Sequence, residues 1–192
     1  MMNNKSIEKH ELIYIKVVGK IFLIAIFFVS LSCETDIPET DTTPPEFDFK
    51  ISGDGFDHAF NQDDIFDSFQ LNLKENETYD FVFTAGDEGG LKYMQMLFAI
   101  DYLEFQTNTP NTWTDSNNGF SRAITWQGNV NNPITGNILT GTFITRGDQN
   151  DTVSMSISLS MQDFGGESGN GNTMFKDLNI HIGNHNTEIV EF

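Results

Sequence analysis

Cysteine is almost absent: Cys33 is the only one in 192 residues, so no disulfide can close within the chain. Basic side chains are also few, 10 against 28 acidic ones, and such a surface repels phosphate backbones, which excludes nucleic acid as an expected partner. No apolar run reaches the roughly 20 residues a membrane-spanning helix needs. Catalytic and metal signatures are missing too. The serines stand in no GxSxG elbow, and no acidic stretch has the D-x-[DN]-x-[DN]-G spacing of an EF-hand. His181 and His185 are four apart in "NIHIGNHN", without an HExxH and without a third ligand from His10 or His58. They are expected as surface histidines, not zinc ligands.

What is present begins with "KIFLIAIFFVSLSCETD". Ile21 to Val29 is an unbroken apolar run, preceded by Lys5, Lys9, Lys16 and Lys20 and followed by Ser30, Leu31, Ser32 and Cys33. A basic region, a short apolar core and small residues before a cut describe a secretory signal over residues 1–32. The segment Ser30-Leu31-Ser32-Cys33 resembles the lipobox of bacterial lipoproteins, with Ser30 where a leucine is usual. That resemblance implies a lipoprotein acylated on the Cys33 thiol, palmitate being a typical chain, and cleaved just before it. Each buried CH₂ of such an anchor contributes about 0.8 kcal/mol of membrane attachment. The alternative is a free cysteine behind an ordinary cleavable signal.

Residues 1–32 hold four lysines and two glutamates, so six basic and 26 acidic side chains remain without them, a formal charge of −20. Solubility outside the cell is the plain reason for such a charge, and divalent cations would be drawn wherever acids converge. Residues 33–46, "CETDIPETDTTPPE", combine Thr, Pro and acids with Ile37 as the lone aliphatic. Such a segment buries too little apolar surface to offset ordering and reads as an acidic tether. Acids directly behind the cysteine also resemble the surface-export signal of some Gram-negative lipoproteins, which implies a lipid anchor in the outer membrane with the body exposed at the cell surface.

Residues 47–192 have the size of one domain and a β pattern. In "VSMSISLSMQ", Val153, Met155, Ile157, Leu159 and Met161 alternate with Ser154, Ser156, Ser158, Ser160 and Gln162. Period two gives one dry face and one wet face, as in an antiparallel sandwich. "FDFKI", "FQLNL", "YDFVFTA", "RAITW", "NILTGTFIT", "FKDLNIHI" and "TEIVEF" read as further strands, and "LKYMQMLFAI", apolar on both faces, as a central one. Asn, Asp, Gly and Pro clusters separate them. The stretch "FDHAFNQDDIFDSF" allows a helical turn or two, with Phe56, Phe60, Ile65 and Phe69 inward. Eighteen phenylalanines suit the core of two packed sheets.

"DTTPPEF" at 41–47 resembles the leader of bacterial Ig-like domains. Ala85, Asp87 and Gly90 in "AGDEGGL", and Asp163 and Gly166 in "MQDFGG", resemble their Ala-x-Asp-x-x-Gly and Asp-x-x-Gly turns. The chain departs from that pattern in its length, with an insertion-like middle from Thr107 to Asn137. The resemblance implies an all-β, Ig-like antiparallel β-sandwich in which Asp87, Glu88 and Asp163 share one end. Oxygen donors converging there would suit Ca²⁺, although Asp–Gly pairs ordinarily just make turns.

Trp113 and Trp126 are the only tryptophans. Trp126 reads as core, and Trp113, amid polar residues, as a candidate sugar-stacking side chain or a buried loop anchor. Address and fold class together suggest a non-enzymatic binding, adhesion or accessory module for a glycan or an envelope protein. Two alternatives stay open: an extracellular hydrolase using Asp87 and Asp163 as acid and base, and a spacer without a ligand.

Overall fold

The computed structural model of the chain describes residue 37 and residues 41–106, 110–147, 152–165 and 171–192. The signal segment, half of the acidic tether including Cys33, and Gly166 lie outside the described residues.

Among the described residues twelve strands follow one another: β1 (Glu46–Gly53), β2 (Phe56–Asn61), β3 (Phe69–Lys74), β4 (Thr78–Gly86), β5 (Leu91–Ala99), β6 (Leu103–Gln106), β7 (Trp113–Asn117), β8 (Ser121–Gln127), β9 (Gly136–Thr145), β10 (Val153–Asp163), β11 (Thr173–Gly183) and β12 (Glu188–Glu191). They form a five-stranded sheet, β2-β1-β4-β9-β6, and a seven-stranded sheet, β12-β3-β11-β10-β5-β8-β7. Neighbours are antiparallel except β3 and β11, which pair in parallel from Leu71–Ile180 to Lys74–Gly183. The fold is an all-β sandwich.

Alternation decides which face is dry. On β10, Ile157, Leu159 and Met161 are fully buried while the serines between them face outward. β5 sits between β10 and β8 as its two-sided apolar pattern predicts, burying Met94, Met96 and Phe98. The opposite sheet supplies Phe49, Ile51, Tyr79, Phe81, Phe83, Leu139 and Phe143. Aromatic contacts join the sheets: Phe98 of β5 stacks on Phe105 of β6, and Phe60 of β2 stacks on Phe69 of β3 at 5.6 Å. Each such side chain contributes about 1.5–3 kcal/mol by leaving water.

The stretch after β1 differs from the helical expectation. Phe56–Asn61 is a strand paired with β1, turned by Asp54 (φ 50°) and Gly55 (φ 77°). Positive φ at both central residues is the hairpin geometry that an Asp-Gly dipeptide favours. Only one turn of 3₁₀ helix, Phe66–Ser68, follows. Phe66 is buried in place of Ile65, which is 71% exposed: past the β1–β2 pairing, the 3₁₀ turn brings the Phe66 ring against Phe47, Phe60 and Phe69.

The end of the sandwich at the β1–β2 turn is closed by neutral hydroxyls. The Tyr79 and Thr187 hydroxyls lie 2.6 Å apart, and Thr187 donates to Asp54 Oδ2 at 2.9 Å. Thr145, fully buried, donates to the Lys74 carbonyl at 2.7 Å and accepts from the Glu77 N–H at 3.1 Å. A buried hydroxyl satisfied in this way costs little and fixes the β3–β4 turn.

Candidate functional site

At the other end, three aspartates from three distant segments converge. One carboxylate oxygen each from Asp41, Asp87 and Asp163 lies within 4.8 Å of the other two. Asp41 precedes β1, Asp87 follows β4 and Asp163 ends β10. All three belong to the motifs that carried the Ig-like resemblance, so the expected convergence of Asp87 and Asp163 is present. Glu88 is exposed on the rim instead, and Asp41 occupies the third place. Asp41 opens the DTTPPEF leader, but no local pattern assigns it to this corner, because the contacts that hold it are remote in sequence.

The chief contact is Asn172. Its backbone N–H donates to Asp163 Oδ1 at 2.6 Å and its side-chain amide to Asp163 Oδ2 at 2.8 Å. The same amide reaches the carbonyls of Asp41 at 2.8 Å and Thr43 at 3.3 Å. Gly171, at φ 71°, precedes it; a Cβ there would stand 2.2 Å from the Asp163 carbonyl oxygen, so only glycine admits this approach. The last residues of the acidic tether are thus fastened to the β10–β11 connection. Asp163 is fully buried, a state a carboxylate tolerates only with donors such as these.

Asp87 has a different setting. Its Oδ1 accepts the Gly89 N–H at 2.8 Å, the turn role that Asp ordinarily plays before Gly. Partial burial pushes its carboxyl up to about 6, and the nearby charges of Asp163, Asp41 and Glu88 act in the same direction against the Gly89 bond. The three charges that press most on Asp87 are all negative. A proton or a bound cation would relieve the crowding. The three oxygens, with the Asp87 and Glu88 side of an adjoining hollow of about 680 Å³, offer the hard donors that Ca²⁺ takes.

The acid–base pair of a hydrolase is not available here. Asp163 would have to reach a substrate, yet it is enclosed and both of its oxygens are engaged by Asn172. Of the two readings of Trp113, the buried one holds, on a strand and not in a loop. It lies on β7 in register with Trp126 of β8, and each is only 7% exposed. The polar residues around Trp113 face outward while the indole packs against the core, so it offers no stacking surface. Of the histidines, the His181 ring nitrogen meets the Ser154 hydroxyl at 3.4 Å, and His185 Nδ1 lies 3.1 Å from the Asn186 carbonyl oxygen. The candidate metal group among the described residues contains neither.

The strand pairing and this acidic corner define an all-β sandwich with one chemically distinctive end. No family model matches the sequence, and no curated protein does. Among solved structures, the chain is similar to a non-cellulosomal cohesin from the hyperthermophilic archaeon Archaeoglobus fulgidus, at 13% identity and a TM-score of 0.34 over 60% of this chain and 91% of that one. A likeness that distant bears on neither ligand nor partner, and the architecture rests on the pairing itself.

Proposed function

We propose that the chain is an exported lipoprotein, acylated on Cys33 and held at the outer membrane, whose sandwich is a non-enzymatic binding or adhesion module for a glycan or another envelope protein. The observation that carries this reading is Cys33 itself, directly behind a short apolar run and eight residues before Asp41, where the chain joins its folded body. The acidic surface suits a protein kept soluble outside the cell. The acidic corner adds a second element: Asp41, Asp87 and Asp163 take Ca²⁺, supported by their mutual approach within 4.8 Å and the like-charge crowding at Asp87.

Fractionation of cells producing the chain tests the address. The wild type is expected in detergent-extracted membranes, and Cys33→Ser in the uncleaved or soluble fraction. Equal partition of both would sink the anchor. Pull-down with the membrane-extracted protein tests the module, and capture of no envelope protein or glycan would favour the spacer.

A further inference from the structure

Beside the corner, across the turn between β4 and β5, lies a hollow of about 590 Å³ with the opposite character. Two other hollows are lined by acids: Glu46, Asp48 and Asp63 in one, and Asp41, Glu46, Asp87 and Glu88 in the other. Among its described residues this third one has no carboxylate. Lys92, Tyr93, Gln127, Asn129, Val130 and Gln162 form most of it.

Strand register builds its floor. Tyr93 on β5 is paired with Gln162 on β10 and with Gln127 on β8, which places a glutamine, an aromatic ring and a second glutamine in one row across three strands. At a strand spacing of about 4.8 Å the row spans roughly 10 Å. The pairing of β5 with β10 shifts between Gln162 and Asp163, leaving Lys92 as the extra residue beside Tyr93. Bulges of this kind re-aim side chains next to binding sites. The Tyr93 hydroxyl is held by Ser160 and its ring is half-buried. Val130, 57% exposed, supplies an apolar wall.

On β10, β5 and β8 the row opens onto an outward set that is uncharged apart from Lys92 at the bulge, and Asp177 of the neighbouring β11, which accepts from the Ser158 hydroxyl, borders it. Ser154, Ser156, Ser158, Ser160 and Gln162 of β10, Gln95, Leu97 and Ala99 of β5, and Ala123, Thr125 and Gln127 of β8 alternate outward from the buried set. In a chain carrying 28 acids, charge sorts the possible occupants. Cations go to the acid-lined hollows, and anions are repelled by the whole molecule. An uncharged ligand rich in hydroxyls fits the third hollow: an aromatic face for its apolar side, and amides that both donate and accept for its hydroxyls.

We infer that the Gln162–Tyr93–Gln127 row, with Asn129 and Lys92 at its rim, is a binding shelf for a neutral polysaccharide chain. This deepens the binding-module reading and depends on it. The test is native affinity electrophoresis of the detergent-solubilised full chain in gels containing soluble β-glucan, xylan, mannan or galactomannan. Retardation by at least one of these is expected. Gln127→Glu, an exposed change that puts an acid on the shelf, should weaken it at least tenfold, as should Tyr93→Ala, whereas Asp57→Asn on β2 should leave it unchanged. Retardation unaltered in Gln127→Glu would overturn the shelf and keep a binding module. No retardation in any of the four gels would overturn the shelf too, with the anchor and protein-partner readings scored separately by fractionation and pull-down.

Discussion

At the β1–β2 end of the sandwich, Asp54 and Glu77 lie 3.6 and 2.8 Å from the Lys74 ammonium, whose pKa they raise, Glu77 most. At the other end Asp41, Asp87 and Asp163 crowd one another, and Asp163, Asp41 and Glu88 all press negative charge on Asp87. Both ends close loops over the same core, and both bury a polar side chain, Thr145 at one and Asp163 at the other. Closing a loop therefore does not require unbalanced charge. A neutral hydroxyl bonded to backbone does it at the first end, so the excess of carboxylate at the second is open to a role beyond packing.

Four changes would break or sharpen that contrast. The largest effect is expected from Asn172→Leu, which strips a buried carboxylate of its side-chain amide donor, leaving it the backbone N–H, and releases the carbonyls of Asp41 and Thr43. A loss of about 3 kcal/mol in denaturant unfolding is expected, and a loss below about 1 kcal/mol would mean Asn172 is dispensable. Next is calcium. With the dissociation constants of about 10⁻⁴–10⁻³ M usual for extracellular modules, 10 mM Ca²⁺ should stabilise the wild type by about 1.4–2.7 kcal/mol. The same addition should leave Asp87→Asn almost unmoved in thermal melts.

The third change is pH. Asp87 binds its proton more tightly folded, at about 6, than unfolded, at roughly 3.9. Between those values the native state holds more protons, so its contribution is fully present below about pH 4, falls as pH rises to about 6, and is flat above. With solvent screening of this half-exposed group, the drop is on the order of 1 kcal/mol, and Asp87→Asn should erase it. A calcium-free unfolding series from pH 4 to 7 reads this directly, and a rising slope from this residue would contradict the assignment. The smallest effect is Gln127→Glu on stability, within about 0.5 kcal/mol for an exposed position. A larger loss would make the shelf part of the scaffold and weaken its use as a specific probe.

How far the fold was legible depended on the range of the forces involved. β10 could be read from five apolar residues in strict alternation, and β5 from apolar character on both faces, because burial between two neighbours and a core imposes those patterns. β2 was obscured because Phe56 and Phe60 stand at helical spacing, while the local signal that settles it is the Asp54-Gly55 turn. Trp113 is surrounded by polar residues in sequence and is buried through its cross-strand pairing with Trp126, a contact 13 positions away. The corner was half legible. Asp87 and Asp163 stood in recognisable turns, but Asp41 joins them through Asn172, 131 residues distant, and no local pattern records that. The shelf exists only through register, since Gln127, Tyr93 and Gln162 come together once three strands are aligned.

Intact mass spectrometry of the protein extracted from membranes tests the central claim most directly. A polypeptide beginning at Cys33 and carrying acyl chains is the predicted result. An unmodified chain beginning at Met1, or one cut elsewhere with a free Cys33 thiol, would contradict it.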